Sequence, residues 1–533
     1  MRAWPLAAVA ALAVVIAAPA RAQLSVTTYH NDNSRTGQNL GETILTPANV
    51  NSTSFGLLFA RAVDGAVYAQ PLYLSGVAVP GAGKHNVVFV ATEHDSVYAF
   101  DADSQTGANA FPLWHASLIP PEGSPIPYWA RYGNLYPELG ITGTPVIDAQ
   151  SGILYAVSNT MENGGYVQRL HALDVRTGRE RFGGPVPITA SAVGYGDGNV
   201  AGILTFNPLS QMNRSGLLLS KGVVYLPFGS HNDVTPYHGW LIGYDAHTLQ
   251  KVATFITTPD GVTDPSGYPI GGGAIWQAGG APAADATGNV YFETANGTFD
   301  AATGGPDYSD SFVKLSSTAG LEVADYFTPY NEQVLDDYDE DLGSGGLLLL
   351  PDSVGSQAHP HLLVGCGKEG TVYLVDRDQM GGFNSAANTN LQALYYAIGG
   401  TWSSPAYFNS AVYYNGVNDV LRMFPVAAGA LAATPQSVSP AALGYPGATP
   451  SISANGATDG IVWTIESDDD YLGLPAVLHA YDATNVATEL YNSTMVAGDA
   501  AGPAVEYTVP TIANGKVFVG AANVLSVYGQ RPP

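Results

Sequence analysis

Cysteine is all but missing from this 533-residue chain, with Cys366 the single copy. That excludes a disulfide-stapled scaffold and a Cys-x-x-Cys-His haem attachment. Charge is scarce as well, at 12% of residues, and cations are scarcest: 19 Lys and Arg stand against 45 Asp and Glu, a net charge of −26. Phosphate binding needs a basic face, so a nucleic-acid partner is excluded. The same shortage argues against coiled coils and long helical bundles, which are rich in Ala, Glu, Lys, Leu and Arg at helical period. No Walker loop, Rossmann fingerprint, Gly-x-Ser-x-Gly elbow or His-Glu-x-x-His zinc pair occurs in a suitable context. What is abundant is Gly (62), Pro (36) and Tyr (31), with 46% hydrophobic residues. Such a chain is too apolar for disorder and rich in turns, as an all-β protein is.

One long apolar run exists, from Leu6 to Ala18. Arg2 precedes it, and Ala20-Arg21-Ala22 supplies a small-x-small cleavage site before Gln23. This is the pattern of an export signal over residues 1–22, and the run is short for a ~20-residue span. The expectation is a periplasmic or secreted protein, residues 23–533, with no membrane span in its mature form.

A repeat fills the rest. Short alternating strands ending in an aromatic or aliphatic residue and then, usually, Asp recur at Val97–Asp101, Leu170–Asp174, Leu241–Asp245, Phe312–Ser316, Val372–Asp376, Leu421–Pro425, Leu478–Asp482 and Leu525–Gly529. A small-residue strand precedes each, often carrying Pro (Pro71, Pro145, Pro282, Pro405, Pro450, Pro510) or reading Leu217–Leu219 and Leu347–Leu350. Units of roughly four strands at a period of tens of residues predict a β-propeller. We expect one domain, an eight-bladed all-β propeller of four-stranded antiparallel blades, with seven blades as the alternative. The last unit has no room for its outer strand. Phe55–Val63 can supply it and close the ring, leaving no open edge.

The units Asp101-Ala102-Asp103-Ser104-Gln105-Thr106-Gly107 and Asp174-Val175-Arg176-Thr177-Gly178, with Trp114 after the first, resemble the turns of the pyrroloquinoline quinone (PQQ) dehydrogenase propellers. Tyr29 to Arg35, followed by Leu45 to Val50, is similar to that family's opening. The most specific likeness is Gly271-Gly272-Gly273-Ala274-Ile275-Trp276, running to Thr294-Ala295-Asn296-Gly297. The resemblance implies a Trp276 ring beneath the flat quinone and an Asn296 amide oxygen on calcium, a metal that takes hard oxygen ligands. Tyr326-Phe327-Thr328-Pro329 then leads through an acidic stretch to Asp339, Glu340 and Asp341. There the family has its catalytic Asp, and Asp341 matches best, with Asp339 next. Lys368, in Gly367-Lys368-Glu369-Gly370, matches the cation that reaches the quinone oxygens. Asp233 falls where the family has a metal-binding Glu, giving Asp233, Asn296 and Asp341 as the implied metal ligands.

Departures stand beside these matches. The family's alcohol dehydrogenases carry adjacent cysteines over the quinone, and a chain with only Cys366 cannot form that disulfide. Its conserved arginine contact has no confident equivalent, although Arg131 is nearby. Each residue also has a plainer reading: Trp276 as core, Lys368 and Arg35 as surface or loop-anchoring cations, Asp341 as part of a solvated acidic loop. His231 and His238 flank the expected pocket as possible acid–base groups. Three functions follow. The first is a PQQ- and calcium-dependent oxidoreductase acting on an alcohol or sugar hydroxyl, with an external electron acceptor. The second is a non-catalytic propeller serving as an interaction or assembly scaffold. The third is a propeller polysaccharide lyase or hydrolase.

Overall fold

A computed structural model describes residues 25–131, 135–262, 272–318, 320–468 and 472–532. The expected export signal over 1–22 and Gly271 of the glycine-rich turn lie outside these residues. The architecture is an eight-bladed β-propeller of mainly four- and five-stranded antiparallel sheets. The inner strands include Leu72–Val79 (blade 1), Val146–Asp148 (blade 2), Leu218–Ser220 (blade 3), Ala283–Ala284 (blade 4) and Leu348–Leu349 (blade 5). Ala406–Phe408, Ser451–Asn455 and Thr511–Ala513 complete the series. Ring closure is as expected. The N-terminal strand Phe55–Ala66 pairs antiparallel with Lys516–Gln530, from Phe55 opposite Gln530 to Ala66 opposite Ala522.

The recurring Asp has a local cause. It ends the third strand of a blade, and its carboxylate accepts the amide two residues on. Asp101 takes Asp103 N at 2.9 Å, Asp174 takes Arg176 N at 2.9 Å, and Asp482 takes Thr484 N at 2.8 Å. These are Asx turns, which start the hairpin to the outer strand. Blades are then tied to one another. Trp114 of blade 1 donates its indole N–H to the Val175 carbonyl of blade 2 at 2.8 Å, and its ring lies against Gly178. Gly178 sits at φ 68°, so any side chain there would meet both a strained backbone and the indole.

Each blade is covered on both faces by its neighbours. Strands Leu362–Cys366 and Val372–Asp376 are accordingly buried at every residue. The alternation seen in the sequence therefore marks which neighbouring blade a side chain meets, not inside against outside. In an antiparallel meander the second-to-third-strand hairpins and the blade-to-blade connections share one face, called the upper face below. The acidic connection from blade 4 to blade 5, read from sequence as a loop, holds the helix Glu332–Asp337.

The N-terminal segment circles the axis and touches every blade in turn. Ser25 and Val26 pair with Leu74 and Tyr73 of blade 1. The Thr27, Asn33, Ser34 and Thr36 carbonyls accept the amides of Ile147, Ala284, Leu349 and Tyr407 in blades 2, 4, 5 and 6. Asn33 Nδ2 donates to Leu219 O in blade 3, Gln38 pairs with Ile452 in blade 7, and Asn39 Nδ2 donates to Ile512 O in blade 8. Arg35 pins this ring. It is fully buried; Nε and Nη2 donate to Pro282 O at 2.9 and 2.7 Å, and Nη1 donates to Thr28 Oγ1 and Tyr29 O at 2.8 and 2.9 Å. The loop-anchoring reading of Arg35 is thus the one its contacts support.

Candidate functional site

Four upper-face segments of blades 4 and 5 bring their polar side chains together. Trp276 precedes the inner strand of blade 4, and Asn296 lies in that blade's hairpin. Asp339 and Asp341 end the connection into blade 5, and Lys368 lies in the blade 5 hairpin. Lys368 Nζ stands 2.5 Å from Asp341 Oδ1 and 2.7 Å from Asp339 Oδ1. Trp276 Nε1 donates to the other Asp341 oxygen at 3.1 Å, and Asn296 Nδ2 donates to Asp339 Oδ1 at 3.0 Å. Trp276, Asn296, Asp341, Asp339 and Lys368, grouped in the sequence by the resemblance alone, therefore converge in the structure.

The backbone holds them there. Asp341 caps a short 3₁₀ turn over Leu342–Ser344; its carbonyl accepts Lys368 N at 3.1 Å and Ser344 Oγ at 3.1 Å. The following amide, Leu342 N, donates to the buried Asp310 carboxylate at 2.8 Å. Trp276 is followed by Gln277 and Ala278, both at φ 44°, a left-handed turn that non-glycine residues rarely adopt. Gly273 N donates to Asn296 O at 2.9 Å, tying the glycine-rich turn to the blade 4 hairpin. Gly272 packs directly on the Tyr237 carbonyl, where a Cβ would collide.

Asp341 is 2% exposed. Burial pushes its pKa up to about 6; Lys368 opposes the rise, while Asp339 and Asp233 add to it. Burial also works against the Lys368 charge, but Asp341 and Asp339 outweigh it and hold the ammonium above the ordinary lysine value. Deeper acids are kept neutral. Glu293 and Asp310 are fully buried and raised well above the carboxylate range, by burial first and by Asp341 second. Asp336, on the helix leading into the site, is likewise raised to about 6, by burial first. Asp341 is the carboxylate of that range that is braced by a cation and an indole.

The other expected residues make no contact with this cluster, although the Asp233 charge is near enough to act on Asp341. Asp233 is exposed; its Oδ1 accepts Ser230 Oγ and Tyr237 OH, both at 2.7 Å. Arg131 donates to Ser210 Oγ at 2.6 Å and helps lower His231. Burial is the larger cause there, and His231 falls to about 4. His238 bonds through both ring nitrogens, to Thr258 Oγ1 at 3.1 Å and Asp197 O at 2.9 Å. Cys366 is buried in the core, so no thiol faces the site.

A second group was not legible from motifs. Arg214, just ahead of the blade 3 inner strand, lies over Tyr68 and Tyr507 at 4.8 and 4.5 Å. Tyr507 OH meets Tyr445 OH at 2.6 Å, Tyr445 packs edge-on against Trp402, and Lys368 Nζ lies 5.8 Å from the Trp402 ring. A belt of aromatic rings on the connections into blades 6, 7 and 8 therefore links Lys368 to Arg214. The one available signal was the rarity of cations beside the position of Arg214, immediately before an apolar strand.

The eight-bladed fold is shared with solved dehydrogenase propellers. Two quinohemoprotein alcohol dehydrogenases, from Pseudomonas putida HK5 and Comamonas testosteroni, superpose with TM-scores of 0.59 and 0.60, each at 14% identity, over 95% of this chain and 80% of theirs. A europium-containing methanol dehydrogenase gives 0.60 at 13% identity, over 96% of this chain and 98% of its own. At such identities the likeness is one of fold. No protein-family model and no curated protein matches the sequence.

Proposed function

We propose that the chain is an oxidoreductase acting on an alcohol or sugar: the hydroxyl proton is taken by a base, and the hydride leaves from the carbon that bears the hydroxyl, with PQQ as its acceptor. The observation that carries this reading is Asp341: buried, ionising near pH 6, and fixed between Lys368 and Trp276. A carboxylate with that pKa can take a hydroxyl proton at neutral pH. The likeness in fold to alcohol and methanol dehydrogenases supports the same direction.

The residues fit a flat anionic quinone. Trp276 is half-buried with its ring edge locked by Asp341, which leaves an indole face as a platform. Lys368 supplies positive charge where a reduced quinone would carry negative charge. When bound, the quinone supplies the hydride acceptor. The chain's own share is to orient the ring, hold the substrate hydroxyl toward Asp341 and keep that carboxylate ionised.

Calcium fits less well. Asn296 Oδ1 is buried without a partner, as a hard-cation donor would be. But Lys368 engages both Asp341 and Asp339, and among the described residues no three carboxylate, imidazole or thiol groups gather into a cage. The donor set as folded does not fit the ion.

Export rests on residues 1–22. No helix among the described residues is long and apolar enough to cross a membrane. The test is to add PQQ to the apo protein, with and without calcium, and to follow tryptophan quenching and dye-linked oxidation over an alcohol and sugar panel. Saturable quenching at micromolar PQQ with turnover is expected. Absence of quenching would refute the reading and favour the non-catalytic propeller, to which the lack of any cysteine at the site also points.

A further inference from the structure

Arg214 has the features of a binding residue rather than a structural one. Its side chain is 4% exposed, yet neither Nη1 nor Nη2 has a hydrogen-bond partner among the described residues. Burying a guanidinium without hydrogen bonds is costly. The compensation in view is incomplete: two tyrosine faces and the Glu506 carboxylate at 3.9 Å, beyond hydrogen-bond distance. Tyr68 precedes blade 1, Arg214 precedes blade 3, and Glu506 and Tyr507 precede blade 8. The guanidinium is therefore gripped across the axis by connections from three blades, on the face that holds Asp341 and Lys368.

A guanidinium clamped between two phenol rings keeps its plane fixed and presents its N–H edge as a fork. The partner that matches a fork is a planar two-oxygen anion, and a carboxylate accepts two parallel N–H bonds from it. A second acid stands nearby. Glu93 is 1% exposed, and burial pushes it up to about 8; the Glu138 backbone amide and the Arg214 charge oppose the rise, and the Glu138 charge adds to it. Protonated at neutral pH, Glu93 is a hydrogen-bond donor and does not repel an incoming anion. The belt of Tyr507, Tyr445 and Trp402 between Arg214 and Lys368 offers ring faces to the body of the ligand.

We propose that Arg214 receives a carboxylate of a ring-bearing ligand lodged on the upper face between Arg214 and the Asp341–Lys368 cluster, the funnel of these blades. The carboxylate has two chemical sources, the quinone acceptor itself or an acidic sugar substrate of the uronate kind. The inference rests on the funnel being the site assigned above, but not on the acceptor being a quinone. The experiment is calorimetric and fluorescence titration of the full chain with PQQ, and separately with glucuronate and glucose, in wild type, Arg214→Met and Glu506→Gln. A carboxylate at Arg214 predicts that Arg214→Met weakens the ligand concerned at least tenfold. Glu506→Gln tightens it several-fold by removing the competing acid, and glucose is unaffected.

Loss confined to PQQ assigns the carboxylate to the quinone; loss confined to glucuronate assigns it to the substrate. Glucuronate binding that depends on Arg214 in a protein that ignores PQQ upholds this inference while the quinone reading fails. If PQQ binds wild type and Arg214→Met alike and glucuronate binds neither, Arg214 is structural and the inference is overturned. Should Arg214→Met fail to fold, Glu506→Gln decides: unchanged affinity for both anions overturns the proposal.

Discussion

Two buried arginines on the axis show how differently one residue can be used. Arg35, in the N-terminal ring, donates four hydrogen bonds of 2.9 Å or shorter to Pro282, Thr28 and Tyr29. Burial lowers its pKa to about 10, with Asp32 and Tyr29 opposing, and it stays charged. Arg214, in the funnel, is almost equally buried and has neither Nη atom bonded. The ring is a region where polar atoms already have partners. The funnel is a region where Arg214, Glu293 and Asn296 all hold atoms without them. Native interiors tolerate few such atoms, so their concentration on one face marks where a ligand or water completes the bonding.

The largest test of this contrast is Asp341→Asn, which removes the carboxylate braced by Lys368 and Trp276. Turnover is expected to fall about a hundred- to ten-thousand-fold while PQQ quenching persists, as steady-state and titration data would show. Next is Arg35→Met. It leaves the Pro282 and Tyr29 carbonyls buried and unbonded, and a loss of at least about 3 kcal/mol is expected in thermal or urea unfolding. Arg214→Met should lose less than half as much. Equal losses would erase the distinction between the two arginines.

A finer test concerns Lys368. Oxidation that needs ionised Asp341 should rise with pH through about 6. Lys368 lowers that pKa and Asp339 raises it, so Lys368→Met moves the rising limb to higher pH and Asp339→Asn moves it lower. Lys368→Met should also release both carboxylates to calcium, with affinity tightened at least tenfold in calorimetry. The smallest effect is expected at Glu93. Its folded pKa of about 8 lies above the unfolded value, so the folded state keeps a proton that the unfolded chain has lost. Stability falls as pH rises from the ordinary glutamate range to about 8, and Glu93→Gln should flatten that part of the stability–pH curve.

Much of the fold was legible because it is repeated. The Asx turns at Asp101, Asp174 and Asp482 are local devices with their own residue signature, and the closing strand was visible as a missing eighth partner. The cluster of Trp276, Asn296, Asp339, Asp341 and Lys368 was legible because each residue sits in a turn with a recognisable neighbourhood. The rest was hidden for physical reasons. The ring bonds mostly through backbone carbonyls, which leave no side-chain pattern. Arg214 takes its meaning from Tyr68 and Glu506, which are distant in sequence and brought together only by closure. Asp233 kept the right spacing, but its carboxylate went to Ser230 and Tyr237.

The N-terminal ring carries a consequence for the order of assembly. During synthesis its residues exist before any blade does, yet their acceptors and donors extend to Ile452 and Ile512. Gln38 and Asn39, at the end of the ring, must therefore stay hydrated until nearly the whole chain is present. The ring acts as a completion check: a chain truncated before its last blade keeps a frayed leading segment, and only the finished protein can tuck it in.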